Sequence, residues 1–121
     1  MVTNILVIDD DPGVIELLIE EIDNNFSDVR LISATSGYRA IEILQNNWDF
    51  EVIISDYIMP DGSGVDVLNY LVNKKCSISF ILHTSSLNPS LPKDVGDSFL
   101  GIVEKMDFYE LNMILTKLFL G

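Results

Sequence analysis

An α/β fold built on a parallel sheet is predicted by three features. Five short apolar runs recur along the chain, each closed by a polar or turn-forming residue. Stretches with apolar residues at helical spacing follow most of these runs, so the order is strand then helix, five times over. The chain has 121 residues, 48% of them hydrophobic, which is enough for the core of one domain spanning residues 1–121. Repeats, low-complexity segments and linkers are absent. Alternation of this kind implies a parallel sheet covered by helices on both faces.

The elements are legible in order. Ile5-Leu6-Val7-Ile8 is the first strand, and it ends in Asp9-Asp10-Asp11 followed by Pro12-Gly13. Proline suits a first helical turn and Asp suits a helix N-terminus, so the first helix starts near Asp11 or Pro12 and runs to about Asn24. Asp11 reads as its cap, with Val14, Leu18 and Ile22 on the inner face and Glu16, Glu20 and Asp23 outside. The second strand covers residues 29–34. Thr35 or Ser36 caps a helix carrying Ala40, Ile41, Ile43 and Leu44, closed by Asn46-Asn47. Trp48 and Phe50 read as packing residues at the lower end of the sheet.

The third strand, residues 51–55, leads into Asp56, Met59-Pro60 and the loop Asp61-Gly62-Ser63-Gly64. Asp61 reads as a loop residue. The third helix buries Val65, Val67, Leu68, Leu71 and Val72, with Lys74-Lys75 near its end. Strand four runs from Ile78 to His83 and meets Thr84; His83 and Thr84 therefore point to opposite faces, and His83 reads as a packing histidine. Pro89 and Pro92 make any fourth helix short or irregular. Residues 99–103 form the fifth strand, ending at Glu104-Lys105. Asp107 with Glu110 three residues on is a capping-box pattern that starts a fifth helix running to the end of the chain.

Charge narrows the function. Nineteen acidic residues are written against 7 basic ones, for a net charge of −12. That argues against nucleic acid and against anionic membranes as partners of this domain, and favours a divalent cation or a basic protein surface. The single cysteine, Cys76, excludes an internal disulfide; a buried or partly buried thiol in a reducing cytoplasm is expected. The longest apolar runs fall short of the ~18 residues of a membrane span.

The chemistry gathers at the strand ends. Strand one contributes Asp9 and Asp10, strand three Asp56, strand four Thr84 and strand five Lys105. In parallel sheets, sites form just beyond the carboxyl ends of strands. Three carboxylates within ~5 Å repel by about 3 kcal/mol per pair at an effective dielectric near 20, so such a cluster needs a cation. Hard oxygen ligands with room for water suit Mg²⁺. A metal, a lysine and a hydroxyl around one carboxylate are the equipment of phosphoryl transfer, and carboxylates are a known nucleophile class.

With these residues in place, the sequence resembles a response regulator receiver domain of bacterial two-component systems over essentially its whole length. The matching pieces are Ile8-Asp9-Asp10-Asp11-Pro12, Asp56 with Met59-Pro60-Asp61-Gly62, Thr84, and Lys105. The resemblance implies a flavodoxin-like (βα)5 sandwich with strand order 2-1-3-4-5. It implies that Asp56 accepts a phosphoryl group from a sensor histidine kinase or phosphotransfer protein. Asp10, Asp56 and the backbone carbonyl of Ile58 would hold Mg²⁺ (or Mn²⁺), with Asp9 acting mainly through water. Thr84 and Lys105 would bind the phosphoryl oxygens, and Ile58 and Ser86 would flank the attacking water. Such a domain is a cytoplasmic signalling phosphoacceptor that assists its own phosphorylation, rather than an enzyme. A pseudo-receiver, which binds partners without this chemistry, is the alternative. A haloacid-dehalogenase-like phosphatase would need a second Asp where Ile58 stands.

Three departures from the family pattern accompany the match. Met106 stands where the family usually has proline. Ile102 replaces the usual aromatic residue three positions before the lysine, so no aromatic rotamer switch is expected. The proline-bearing segment 87–94 replaces a regular fourth helix, which should make the family's output face irregular and mobile. On the last helix, Phe108, Leu111, Leu115 and Leu118 form the inward stripe, while Tyr109, Met113 and Leu120 form a second one, with Phe119 between. That second stripe is either the broad edge of the core or a surface for self-association or an output partner.

Overall fold

A computed structural model describes residues 2–46, 49–86 and 88–120. The elements are β1 (Thr3–Ile8), α1 (Pro12–Asn25), β2 (Val29–Ala34), α2 (Gly37–Gln45), β3 (Val52–Ser55), α3 (Gly64–Asn73), β4 (Ser79–Thr84), β5 (Phe99–Glu104) and α4 (Phe108–Leu120). The strands are parallel in the order β2-β1-β3-β4-β5. This is the expected flavodoxin-like arrangement. The expectations on Asn47, Trp48 and Leu87 lie outside the described residues.

Side-chain alternation along the strands sorts the core into two layers. Ile5 and Val7 of β1, Val52 and Ile54 of β3, Ile81 of β4 and Val103 of β5 pack with Ile15, Leu18 and Ile22 of α1 and Leu111 and Leu115 of α4. Leu6 and Ile8, Ile53, and Phe80 and Leu82 face the other way, against Ala40 of α2 and Val67, Leu68 and Leu71 of α3. The central strands are buried on both faces, and burying each Leu or Ile side chain contributes about 1.5–3 kcal/mol. Phe50 is buried in the α2/α3 layer, as expected of a packing residue.

The helix ends follow local chemistry. Asp11 caps α1 by accepting Gly13 N–H at 2.9 Å, with Pro12 in the first turn. Ser36, not Thr35, caps α2. A complete capping box forms at α3 between Ser63 and Asp66. At α4 half of the expected box is present: Asp107 Oδ1 accepts Glu110 N–H at 3.1 Å. The end of α3 corrects one expectation. Cys76 is exposed, because α3 closes with Lys75 in the left-handed region and Cys76 N–H turned back to the Leu71 carbonyl. This Schellman-type ending carries the thiol out past the helix.

The fourth helix is missing rather than short: among the described residues, 88–98 contain no helix. The segment still packs, with Leu91 and Val95 against the α2/α3 layer. Tyr57 Oη accepts Ser90 N–H at 3.0 Å, tying the segment to the end of β3.

Two glycines set the loop that follows β3. The N-terminal amides of α2, which have no partner within their own helix, donate to this loop: Gly37 N–H to the Gly62 carbonyl at 2.9 Å and Tyr38 N–H to the Asp61 carbonyl at 3.1 Å. A Cβ at Gly37 would collide with the Gly62 carbonyl, and one at Gly64 with the carbonyl oxygen of Asp56.

Two outcomes follow from this architecture. Lacking a helical ladder, amides of 88–98 exchange faster than those of α1, α2 and α3 in hydrogen-exchange NMR; uniformly slow exchange there would contradict the structure. Gly64→Ala forces the α3 entry away from Asp56 and lowers unfolding stability by ~1–3 kcal/mol in urea titration; an unchanged midpoint would show that the close approach is not tight.

Candidate functional site

Backbone pairing delivers the polar residues to one edge. Asp9 N–H continues the β1–β2 ladder to the Ala34 carbonyl, and Asp56 N–H bonds to the Ile8 carbonyl at 2.9 Å. Lys105 N–H reaches the Thr84 carbonyl at 3.0 Å. Asp9, Asp56 and Lys105 thus each stand one step beyond their own strands, and Thr84 is the last residue of β4.

There the side chains meet. Carboxylate oxygens of Asp9, Asp10 and Asp56 lie within 4.8 Å of one another. Lys105 Nζ donates to Asp56 Oδ2 at 2.8 Å and lies 3.1 Å from Asp9 Oδ2. The second contact is an ion pair without hydrogen-bond alignment, since Asp9 Oδ2 makes no hydrogen bond among the described residues. The other oxygens are held by amides: Asp56 Oδ1 accepts Tyr57 N–H at 2.7 Å, and Asp9 Oδ1 accepts Asp11 N–H at 2.9 Å. Asp9 and Asp56 are buried, whereas Asp10 opens to solvent.

Burial is the main force on these groups. It pushes the Asp9 carboxyl above its usual range, aided by the Asp56 charge and opposed by Asp11 N–H and Lys105. Burial also pulls Lys105 down, but the hydrogen bond to Asp56, the close Asp9 oxygen and the charges of both acids outweigh it and raise the ammonium pKa. Three carboxylates with one lysine leave a net negative cluster, open on the Asp10 side and with an unbonded Asp9 oxygen inside. Such a donor set fits a small hard divalent cation.

Thr84 is buried at the end of β4, and its Oγ1 accepts Ser86 N–H at 3.2 Å. It is linked to Lys105 through the backbone. Thr84, Ser85, Ser86, Ile102, Glu104 and Glu110 line a cavity of about 250 Å³ beside it. The Ile58 side chain is 69% exposed at the rim. A larger cavity of about 530 Å³, lined in part by Thr3, Phe50 and Phe119, lies at the opposite end of the sheet. The charge cluster, not cavity size, locates the site, because that cavity is remote from the converging carboxylates.

Sequence reasoning missed two residues. Tyr57 bonds Asp56 through its amide and segment 88–98 through its hydroxyl. His83 packs as expected, 1% exposed, but its Nε2 also accepts Met106 N–H at 2.9 Å. No spacing signal marks either contact. On α4, Tyr109 (78%), Met113 (45%) and Leu120 (83%) are exposed, so the second stripe is surface and not core. Phe119 instead meets Phe26 edge-on at 5.3 Å.

Comparison with known proteins identifies the family. The family model for the response regulator receiver domain matches residues 5–107. The chain belongs to that family. It is 26% identical over 83 residues to the response regulator SaeR of Staphylococcus aureus, a match covering 69% of this chain and 35% of that protein. The chain therefore aligns with about a third of that relative's length. Among solved structures, response regulator TrrA of Thermotoga maritima, in complex with Mg²⁺-BeF, superposes with a TM-score of 0.81 at 28% identity, covering 96% of this chain and 98% of that one. RcsB of Salmonella enterica, bound to promoter rprA in the presence of phosphomimetic BeF3⁻, gives 0.78 at 26% identity, covering 96% and 61%. Among the described residues, no helix is long and apolar enough to cross a membrane.

Burial lowers the His83 pKa to about 4, helped by the Lys105 charge. The unfolded chain therefore binds the extra proton first as pH falls. The stability His83 contributes as a neutral ring is complete above pH 6.5 and is lost between 6.5 and about 4, on the order of 3 kcal/mol. The stability difference between wild type and His83→Leu, from urea unfolding across that window, should shrink as pH falls; a pH-independent difference would contradict a buried neutral histidine.

Proposed function

We propose that this receiver domain is a phosphoacceptor switch in which Asp56 takes a phosphoryl group from a phosphohistidine on a sensor kinase or phosphotransfer protein. The observation that carries the reading is the Asp56 carboxylate held 2.8 Å from Lys105, with Asp9 and Asp10 oxygens gathered within 4.8 Å. In the transfer, an Asp56 oxygen attacks phosphorus, the P–N bond breaks, and the donor imidazole leaves with the electron pair.

Asp9, Asp10, Asp56 and the Ile58 carbonyl would hold Mg²⁺, or Mn²⁺ in its place. When bound, the ion supplies positive charge to the transferring oxygens. The residues of the chain supply the rest. Lys105, its pKa raised by the carboxylates, stays protonated and pairs with the phosphoryl group as Asp56 loses its own charge. Thr84 Oγ1 already accepts Ser86 N–H, which leaves its own hydrogen to donate to a phosphoryl oxygen. Tyr57 N–H orients Asp56 from behind.

A phosphoryl group adds negative charge and acceptor oxygens beside the Thr84 cavity, and its readout passes to β5 and α4. The exposed stripe Tyr109, Met113 and Leu120 is the surface for a second copy or an output partner. The net charge of −12 favours a basic partner over nucleic acid or membrane. In this reading residues 1–121 act as one cytoplasmic signalling domain, not as an enzyme with turnover.

Intact mass after incubation with Mg²⁺ and acetyl phosphate tests the reading. One added phosphoryl group is expected, lost in Asp56→Asn and lost with chelator. No added mass together with no metal binding would replace it with the phosphorylation-independent binding module.

A further inference from the structure

The turn that presents Lys105 has an uncommon backbone. The Glu104 carbonyl accepts Asp107 N–H at 2.9 Å, closing a four-residue turn with Lys105 and Met106 at its centre. Met106 adopts φ 71, the left-handed region that glycine or asparagine usually fills at this place in a turn. Its side chain is 40% exposed, so burial does little to hold it there.

What holds the turn is a histidine. The β4–β5 ladder ends with Lys105 N–H on the Thr84 carbonyl, and the next amide, Met106 N–H, is met by His83 Nε2 at 2.9 Å. His83 sits opposite Val103 in the strand register, and its parity with Ile81 places its ring on the α1/α4 side, beneath the turn. It is 1% exposed, so surrounding side chains fix its ring. A neutral histidine that accepts at Nε2 carries its proton on Nδ1, and that nitrogen is buried without a partner among the described residues. The ring therefore forgoes one hydrogen bond while making the one to Met106.

We propose that His83 is a positioning residue for Lys105: by accepting Met106 N–H it locks the left-handed turn that keeps Lys105 Nζ against Asp56 and Asp9. Lys105 and Met106 are adjacent, so releasing the amide lets the turn relax and the lysine stem swing away from the acids. The kinetic consequence rests on the phosphoacceptor reading of Asp56; the structural one does not.

The experiment has two arms. In the first, phosphoryl uptake from acetyl phosphate with Mg²⁺ is timed by intact mass for wild type, His83→Leu, Lys105→Ala and the double variant. His83→Leu should slow uptake by about tenfold, with no further slowing in the Lys105→Ala background. Full multiplication of the two effects, or an unchanged rate in folded His83→Leu, overturns the proposal. His83→Gln, whose side-chain oxygen can accept the Met106 amide, should recover part of the rate, and it serves as the test variant if His83→Leu does not fold. In the second arm, without phosphodonor, NMR follows Met106 amide exchange and the Lys105 ammonium signal. Faster exchange and a shifted ammonium signal in the His83 variant are expected; an unchanged Lys105 signal overturns the proposal. A wild type that takes up no phosphoryl group and binds no metal refutes the Asp56 reading alone, and the second arm still decides the role of His83.

Discussion

The carboxyl edge of the sheet depends on one ammonium group. Asp9, Asp10 and Asp56 crowd their oxygens within 4.8 Å, and carboxylate pairs at that spacing repel by about 3 kcal/mol each in an effective dielectric near 20. Lys105, at 2.8 Å from Asp56 and 3.1 Å from Asp9, offsets part of that repulsion. It comes from the edge strand β5, whereas Asp9 and Asp56 follow the two strands near the centre. The contacts therefore run from β5 across β4 to the ends of β3 and β1.

The rest of the molecule supports that closure. Side-chain alternation keeps β1, β3 and β4 buried on both faces, so their ends are fixed in height and register. The α2 amides hold the loop after β3 from the side, and the capping box of α3 fixes its other end. Asp56 itself is held at both oxygens, Oδ1 by Tyr57 N–H and Oδ2 by Lys105 Nζ.

Segment 88–98 is a different kind of support. It covers the α2/α3 layer with Leu91 and Val95 but without a helix, and Tyr57 tethers it by one hydrogen bond to the residue following Asp56. A rigid site thus adjoins a loosely held cover. The exposed residues Ile102, Met106, Tyr109 and Met113 lie on β5, its turn and α4, and Ile102 lines the cavity beside Thr84.

The sequence by itself determined the order of the five strands, the parallel sheet and the strand-end positions of Asp9, Asp10, Asp56, Thr84 and Lys105, but not the absence of a helix between β4 and β5 among the described residues. These rest on local patterns: apolar runs closed by turn residues, and caps such as Asp11 one residue before Pro12. The Ser63–Asp66 capping box was also written in its spacing, although it was not predicted. Only the tertiary structure decided the rest. Local pattern could not choose between Thr35 and Ser36 as cap, nor show that Cys76 is carried outward by a left-handed Lys75. It placed His83 in the core but could not show its ring nitrogen on Met106 N–H, a contact between residues 23 positions apart. Nor could it join Tyr57 to Ser90, 33 positions away. Patterns of three or four residues report what each segment prefers; hydrogen bonds between distant segments exist only once the sheet has set their distance.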